Sequence, residues 1–341
     1  MATRVSINGF GRIGRAFARR SYGRDIELVA VNDLGSIENL AYLLKYDTVY
    51  GRAPFSVEAR AGLAGAGGAL IVDGKEVKFL QEKDPTQLPW KELDIDVVIE
   101  STGFFTHYED AEKHIQAGAK HVVISAPGKG DESIGATILM GVNEEKFGTC
   151  AVTSNGSCTT NASAPVIAIL DEALGIEKAV LSTTHAYTAS QSIVDGPAKK
   201  DMREGRAAAQ NIVPTSTGAA IAVTKAYTPL AGNFDGISLR VPVPAGSIAD
   251  VTFIAKRDTT KEEVNDILRK AAKDPRWSAT FATTDDELVS SDIVGEAYAS
   301  IADLGMTRVV GGNLVKVLAW YDNEMGYTEA LVQHVLKVAQ S

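Results

Sequence analysis

Cysteine is nearly absent from this sequence, with Cys150 and Cys158 the two among 341 residues. That excludes a disulfide framework, so the fold must rest on its core. The two could in principle pair, but a reduced, cytoplasmic chain is the expectation, because a sulfur that does chemistry has to stay free. Long hydrophobic runs are missing too: none approaches the roughly 20 apolar residues that span a bilayer. The N-terminus enters a strand by Val5 without the charged stretch and apolar core of a signal peptide, so a soluble chain with no membrane partner is expected. Positive charge is likewise in deficit. With 34 Lys and Arg against 43 Asp and Glu, no large basic stretch exists to neutralise phosphates, which argues against nucleic acid as a main partner. No metal site is expected.

What the chain does have is glycine, 31 residues of it, in a composition of 45% hydrophobic and 23% charged residues that suits an ordinary α/β protein. Its length exceeds the usual size of one hydrophobic core, so two domains are expected.

One of the cysteines stands in Ser154-Asn155-Gly156-Ser157-Cys158-Thr159-Thr160-Asn161, immediately before the apolar run Ala162 to Leu170. That run reads as a helix with Cys158 in or beside its first turn. A helix N-terminus carries partial positive charge and unpaired N–H groups, which lower a thiol pKa. The same N–H groups, with the Ser157 and Thr159 hydroxyls, could hold an oxyanion or a phosphate. A small buried cysteine is commoner than a reactive one, but the polar, uncrowded neighbourhood points to a nucleophile.

The chain opens Val5-Ser6-Ile7-Asn8-Gly9-Phe10-Gly11-Arg12-Ile13-Gly14-Arg15, a strand running through G-x-G-x-x-G into a helix. Gly9 permits the tight turn, Gly11 lets backbone approach a pyrophosphate, and Gly14 lets the helix pack against the strand. A second apolar run, Glu27 to Val31, ends at Asn32-Asp33, 19 residues beyond Gly14. An acidic side chain there accepts ribose hydroxyls and repels a 2′-phosphate, so the cofactor is read as NAD rather than NADP.

The first part of the chain alternates strands with helices: Val5–Asn8, helix 11–21, Leu28–Val31, helix 36–44, and shorter strands near Leu70–Val72 and Val77–Phe79. Asp96 to Glu100 and His121 to Pro127 read as parallel strands flanking helix 108–117. The Gly- and Ala-rich stretch 61–69 reads as a flexible turn. After Cys158 the texture shifts to longer strands, Ala179–Thr184, Phe234–Pro242, Ser247–Ala255 and Arg308–Tyr321, with a helix at 260–273. An amphipathic helix, 326–339, closes the chain with Leu331, Val332, Val335 and Val338 as its apolar stripe. The fold class is therefore α/β: an N-terminal Rossmann-type doubly wound parallel sheet plus an α+β catalytic domain with a mixed or antiparallel sheet. The expected division is a dinucleotide-binding domain at 1–154, completed by the C-terminal helix 325–341, and a catalytic domain at 155–324.

Ordered motifs over the whole length resemble the phosphorylating glyceraldehyde-3-phosphate dehydrogenase family. They are Asn8 to Arg15, Leu44-Lys45-Tyr46-Asp47, Glu100-Ser101-Thr102-Gly103, Ser157 to Asn161, Pro214 to Ala220, Leu239-Arg240-Val241-Pro242 and Tyr321-Asp322-Asn323-Glu324. The resemblance implies oxidation of glyceraldehyde 3-phosphate to 1,3-bisphosphoglycerate, a step of glycolysis and gluconeogenesis, through a thiohemiacetal and an acyl thioester on Cys158. It implies that His185 takes the proton and pairs with the thiolate. It assigns one anion site to Thr188 and Arg240 for the triose phosphate, and another to Ser157, Thr217, Gly218 and Arg203 for inorganic phosphate. For NAD it implies Arg12 and Ile13 by backbone beside Asn8, Gly9 and Gly11, Asp33 on ribose, Lys83 and Ser125 near the adenine, and Asn323 on the nicotinamide amide. Pro197, typical of NAD-using members, would lie in a loop reaching toward a neighbouring subunit, and a homotetramer is implied.

Five positions depart from the family pattern: Ala162 stands where a second cysteine is common, Ile221 where lysine is usual, Met325 where an aromatic residue is usual, and Ala245-Gly246 where Asn-Val is usual. None touches a chemical role. Rival readings are an erythrose-4-phosphate dehydrogenase, a catalytically idle NAD-binding protein, and a thiol-reactive redox sensor. Thr188, Arg203 and the Thr217-Gly218 pair favour the triose substrate.

Overall fold

Short apolar runs that alternate with amphipathic helices build a nine-stranded sheet in the computed structural model, which describes residues 2–62, 67–198 and 201–341. The chain divides into two units. One comprises Met1–Ile138, Glu145–Gly156 and Leu331–Ser341; the other comprises Leu139–Glu144 and Ser157–Ala330.

In the first unit the strands run in the order Gly135–Thr137, Val152–Ser154, His121–Ile124, Val97–Glu100, Thr3–Asn8, Ile26–Asn32, Lys75–Leu80, Gly68–Val72, Val57–Ala61. Every pairing from Gly135–Thr137 across to Lys75–Leu80 is parallel, and the last two are antiparallel. The chain leaves Thr3–Asn8 toward Ile26–Asn32 on one side and returns to Val97–Glu100 on the other. The strand order therefore reverses at Thr3–Asn8, and the crevice beyond the carboxyl ends of such strands is where a doubly wound sheet takes its ligand. Val5, Ile7, Val97, Val98 and Ile99 are fully buried, as central parallel strands covered on both faces require.

Helix Arg12–Arg20 starts at Gly11 and ends with Arg19 and Arg20 in its last turn, where cations favour the helix dipole. Phe17, its anchor, is fully buried, and truncating such a side chain costs about 3–5 kcal/mol. Helix Ile37–Lys45 is capped by Ser36, which accepts from Asn39 N. The helix expected at 108–117 is two short pieces, Tyr108–Ala111 and Lys113–Gln116. Glu112 between them keeps helical angles (φ −58°, ψ −20°), so the interruption is slight. Of the expected turn at 61–69, residues 63–66 lie outside the described residues; its flanks pair as antiparallel strands.

The second unit carries a seven-stranded mixed sheet in the order Val213–Ser216, Phe234–Val241, Ile176–Ala186, Ser247–Ala255, Leu314–Tyr321, Ser300–Val310, Phe281–Thr284. Helices Cys158–Leu174, Ala219–Ala226 and Lys261–Ala271 bring Val166, Ile167, Leu170, Val223, Val264 and Leu268 onto one core with Val251, Phe253 and Val317. Strand Ser247–Ala255 alternates buried and half-buried residues throughout, the period-two signature of a sheet packed mainly on one face. The single strand expected over Arg308–Tyr321 is instead a hairpin. Gly311 and Gly312 adopt φ of +60° and +88°, as a tight turn requires, and Val310 pairs back with Leu314.

The last helix, Met325–Val338, contributes its residues from Leu331 onward to the first unit, where Leu331, Val332, Val335 and Val338 are fully buried. His334 there bonds Thr153 Oγ1 through Nε2 at 2.8 Å. Among the described residues no helix is long and apolar enough to cross a membrane.

Candidate active site

In the first unit the three glycines of the turn divide the labour. A Cβ at Gly14 would lie 2.4 Å from Gly9 O, and one at Gly9, whose φ is +93°, would lie 2.6 Å from Thr102 N. Both positions are closed to any side chain. A Cβ at Gly11 would meet nothing within 4 Å, so this glycine presents bare backbone to open space. That space is a cavity of about 480 Å³ bounded by Asn8, Gly9, Gly11, Asp33, Lys83 and Thr102, among others. Asp33 is held in place from both sides, accepting from Phe10 N at 2.7 Å and Gly35 N at 2.8 Å.

The other expected cofactor residues of this unit include some with protein contacts of their own. Arg12 pairs with Asp47 at 2.5 Å, Ile13 follows it in the helix, and Ser125 N donates to Glu100 O. Arg52 stacks its guanidinium 5.3 Å from the centre of the Tyr46 ring. The Asn8 amide is committed to protein, donating to Glu100 Oε2 at 2.6 Å and accepting from Asn32 at 2.7 Å.

In the second unit the helix opens at Cys158, four residues earlier than the apolar run alone marks. Ser157 caps it: its Oγ accepts from Thr160 N, while Thr160 Oγ1 accepts from Ser157 N. Cys158 thus occupies the first helical position, as a partly buried residue. Its Sγ lies 3.3 Å from His185 Nε2. The sheet register sets His185 directly opposite Arg240 on the neighbouring parallel strand. Arg240 Nη1 and the Ala186 carbonyl oxygen each lie 2.6 Å from His185 Nδ1.

These two neighbours ask for different tautomers. If Nδ1 donates to Ala186 O, Nε2 is free to accept the Cys158 thiol proton. If Nδ1 accepts from Arg240, Nε2 carries the proton and points it at sulfur. Enclosure shapes the charges. Burial pushes the Cys158 thiol up, against the Arg240 charge and the Thr159 backbone N–H that pull it down. Burial and then the Arg240 charge push His185 down to about 3. Enclosure therefore favours the uncharged form of each partner. The helix-start argument alone implies a lowered thiol pKa; the desolvation that comes with enclosure outweighs it.

Tyr321 is a member of this site that periodicity could not single out. It is fully buried, its ring edge-on to His185 at 5.9 Å. Its hydroxyl lies 2.9 Å from Thr159 Oγ1 and 2.7 Å from Thr183 Oγ1. Because Thr183 Oγ1 donates to Ile248 O, it accepts from Tyr321, which in turn accepts from Thr159. The Thr159 hydroxyl is thus spent on bracing the first turn.

Asn323 Oδ1 accepts from Gly246 N and Ser247 Oγ, and Ser247 Oγ accepts from Ala186 N, next to His185. Its Nδ2 has no partner among the described residues. Gly246 has φ +85°, and a Cβ there would strike Ser290 O at 2.3 Å, which accounts for glycine in place of the usual valine. Thr188 bonds Gln191 and Ser190. Thr217 Oγ1 accepts from Ala219 N, and Gly218 heads helix Ala219–Ala226. Arg203 is exposed and ion-paired with Asp201 at 2.8 Å. No group of three or more His, Cys, Asp or Glu able to hold a metal occurs among the described residues.

A doubly wound unit with a glycine-lined crevice and an acidic residue closing its second strand defines the class, an NAD-dependent dehydrogenase. Residues 3–108 match the family model for the glyceraldehyde 3-phosphate dehydrogenase NAD binding domain, and residues 157–323 match the model for that enzyme's C-terminal domain. The chain is 50% identical over 336 residues to a glyceraldehyde-3-phosphate dehydrogenase of Streptomyces coelicolor, with 97% of each chain covered. It is 48% identical to one of Clostridium pasteurianum, again over 97% of each. The chain belongs to the glyceraldehyde-3-phosphate dehydrogenase family.

Proposed function

We propose that the chain oxidises and phosphorylates D-glyceraldehyde 3-phosphate, with Cys158 as nucleophile and His185 as its base. The observation that carries this is the 3.3 Å contact between Cys158 Sγ and His185 Nε2 at a capped helix start. As sulfur attacks the aldehyde carbon, Nε2 takes the thiol proton, and the helix N–H groups stabilise the developing oxyanion. Neutral imidazole is the form that can do this, and the low His185 pKa keeps it available. The substrate's phosphate on Arg240 draws the guanidinium away from Nδ1. That leaves the tautomer with Nδ1 donating to Ala186 O and Nε2 ready to accept.

NAD, when bound, would supply the hydride acceptor for the oxidation of the Cys158 adduct. The first unit fits it: Gly11 offers unobstructed backbone, and Asp33 is pinned at the rim of the same cavity. Arg12, Ile13, Lys83 and Ser125 would add to that site, and Asn323, as the family resemblance implies, would take the nicotinamide amide. Ser157, Thr217, Gly218 and Arg203 would hold inorganic phosphate for attack on the thioester, with Thr188 and Arg240 left to the triose phosphate.

The assembly we propose is a cytoplasmic homotetramer. Val180, Ile212 and Ile237 are more than half exposed on adjacent sheet strands and their approach, and Ile193, Val194 and Met202 are more exposed still. Apolar surface of that extent suits contact between copies. The experiment is NADH production by Cys158→Ser against wild type, with glyceraldehyde 3-phosphate and erythrose 4-phosphate, each with and without inorganic phosphate. Turnover should vanish while NAD affinity stays near wild type; a variant that kept about a tenth of the rate would remove Cys158 from the mechanism.

A further inference from the structure

The first unit contains a connected set of buried polar side chains that neither the glycine turn nor the Cys158 pair explains. At its centre is Glu100, 2% exposed at the carboxyl end of its strand. Its Oε2 accepts from Asn8 Nδ2 at 2.6 Å and faces His114 Nε2 at 3.1 Å. Its Oε1 accepts from Thr102 N at 2.8 Å and from Thr102 Oγ1. His114, fully buried, receives the Trp90 indole N–H on Nδ1 at 2.9 Å. An indole nitrogen only donates, so Nδ1 is bare and the ring proton sits on Nε2, directed at the carboxylate. Four donors converge on two oxygens.

The connections continue toward the cavity. Asn8 Oδ1 accepts from Asn32 Nδ2, and Asn32 clasps the Glu82 backbone in both directions at 2.8 Å. Ser101 Oγ donates to Gly9 O at 2.7 Å. These bonds join the ends of three strands, Thr3–Asn8, Ile26–Asn32 and Val97–Glu100. Asn8, Asn32, Glu82, Ser101 and Thr102 all line the cavity that Asp33 and Gly11 share. Thr102 N is also the atom that leaves no room at Gly9, so the turn and the Thr102 loop are packed directly against each other. His114 meets Phe105, another wall of that cavity, edge-on at 6.4 Å.

We propose that Glu100, braced by His114 and Asn8, is a positioning residue for the dinucleotide: it sets the spacing between the Gly9 turn and the Thr102 loop, and through it the aim of the backbone around Gly11. The proposal rests on the reading of this cavity as the NAD site. Among the described residues His114 is the one titratable side chain within bonding reach of the Glu100 carboxylate. The flanking strands present Asn8 and Ile124 in register with it, and the turn after it presents Thr102.

The test titrates the full chain with NAD and follows Glu100→Gln and Asn8→Asp. Glu100→Gln preserves shape but turns an amide N–H toward donors. Its Kd for NAD should rise about tenfold, equivalent to ~1.4 kcal/mol. KM for NAD should rise further than kcat falls, and iodoacetamide alkylation of Cys158, in the other unit, should keep its rate. Asn8→Asp sets two carboxylates at hydrogen-bond distance, which bind comfortably only with a shared proton. The ratio of its NAD Kd to that of wild type should therefore shrink as pH falls from about 9 to about 6, a signature that a merely structural role would not give. A Glu100→Gln Kd within about twofold of wild type, or an Asn8→Asp ratio flat with pH, overturns the proposal. If Glu100→Gln does not fold, the Asn8→Asp profile decides. A wild type with no NAD affinity overturns the cofactor reading beneath it, whereas intact wild-type binding with unaffected variants overturns the positioning role alone.

Discussion

Replacing His185 by Asn removes the ring nitrogen 3.3 Å from Cys158 Sγ while leaving an amide able to donate to the Ala186 carbonyl, as Nδ1 does in one tautomer. The strand and its pairing with Phe234–Val241 should survive, so the loss is chemical. Removing a general base typically slows a step about 10² to 10⁴-fold, or ~2.7–5.4 kcal/mol at ~1.36 kcal/mol per decade. The surroundings decide where in that range the effect falls. His185 is 3% exposed, so buffer cannot stand in for it, and the upper half, about 10³-fold or more, is expected. Burial already raises the thiol. Without the Nε2–H that one tautomer points at sulfur, the thiolate loses a donor, and the alkylation curve of Cys158 with iodoacetamide should move to higher pH. Below the midpoint each unit of displacement is about a tenfold loss of thiolate. The assay is stopped-flow NADH formation in a single turnover, paired with alkylation rates across pH. A single-turnover rate within about threefold of wild type, together with an unmoved alkylation curve, would show that His185 is structural.

Asp33→Ala should weaken NAD binding and narrow the preference over NADP, since the carboxylate that meets a 2′-phosphate at short range is gone; comparable kcat/KM for the two cofactors in wild type would overturn this reading. Arg203→Ala should raise the KM for phosphate and spare the pre-steady-state NADH burst, which reports acylation. The exposed pair with Asp201 holds the side chain only weakly, so phosphate can compete for it, and a lost burst with constant phosphate KM would place Arg203 in the first step. Tyr321→Phe should strand the Thr159 hydroxyl and loosen the Cys158 turn, costing about 1–3 kcal/mol in denaturant unfolding and lowering kcat; an unchanged midpoint would remove Tyr321 as a brace.

The elements that the sequence determined are those whose signals are local. Glycine at 9, 11 and 14 between a strand and a helix, with an acidic residue closing the next strand, needs no tertiary knowledge to read, because each residue answers to its own backbone. The Cys158 helix start is legible for the same reason: a cap, a thiol and an apolar run follow one another directly. Where two local signals competed, the reading slipped. The β-rich stretch from Arg308 to Tyr321 hid a hairpin, although Gly311-Gly312 marked its turn.

What only the tertiary structure decided concerns partners distant in the chain. Arg240, between Leu239 and Val241, is equally consistent with a strand-edge charge and with a site residue. The parallel register of its strand with Ile176–Ala186 is what sets it opposite His185. Tyr321 reaches that pair from two strands away, by way of Ser247–Ala255. His114 gives no sign in sequence that it faces Glu100 and Trp90. The balance of charge at Cys158 also belongs to this level: a helix start lowers a thiol pKa, enclosure raises it, and the extent of enclosure is a property of packed neighbours that no stretch of sequence carries by itself.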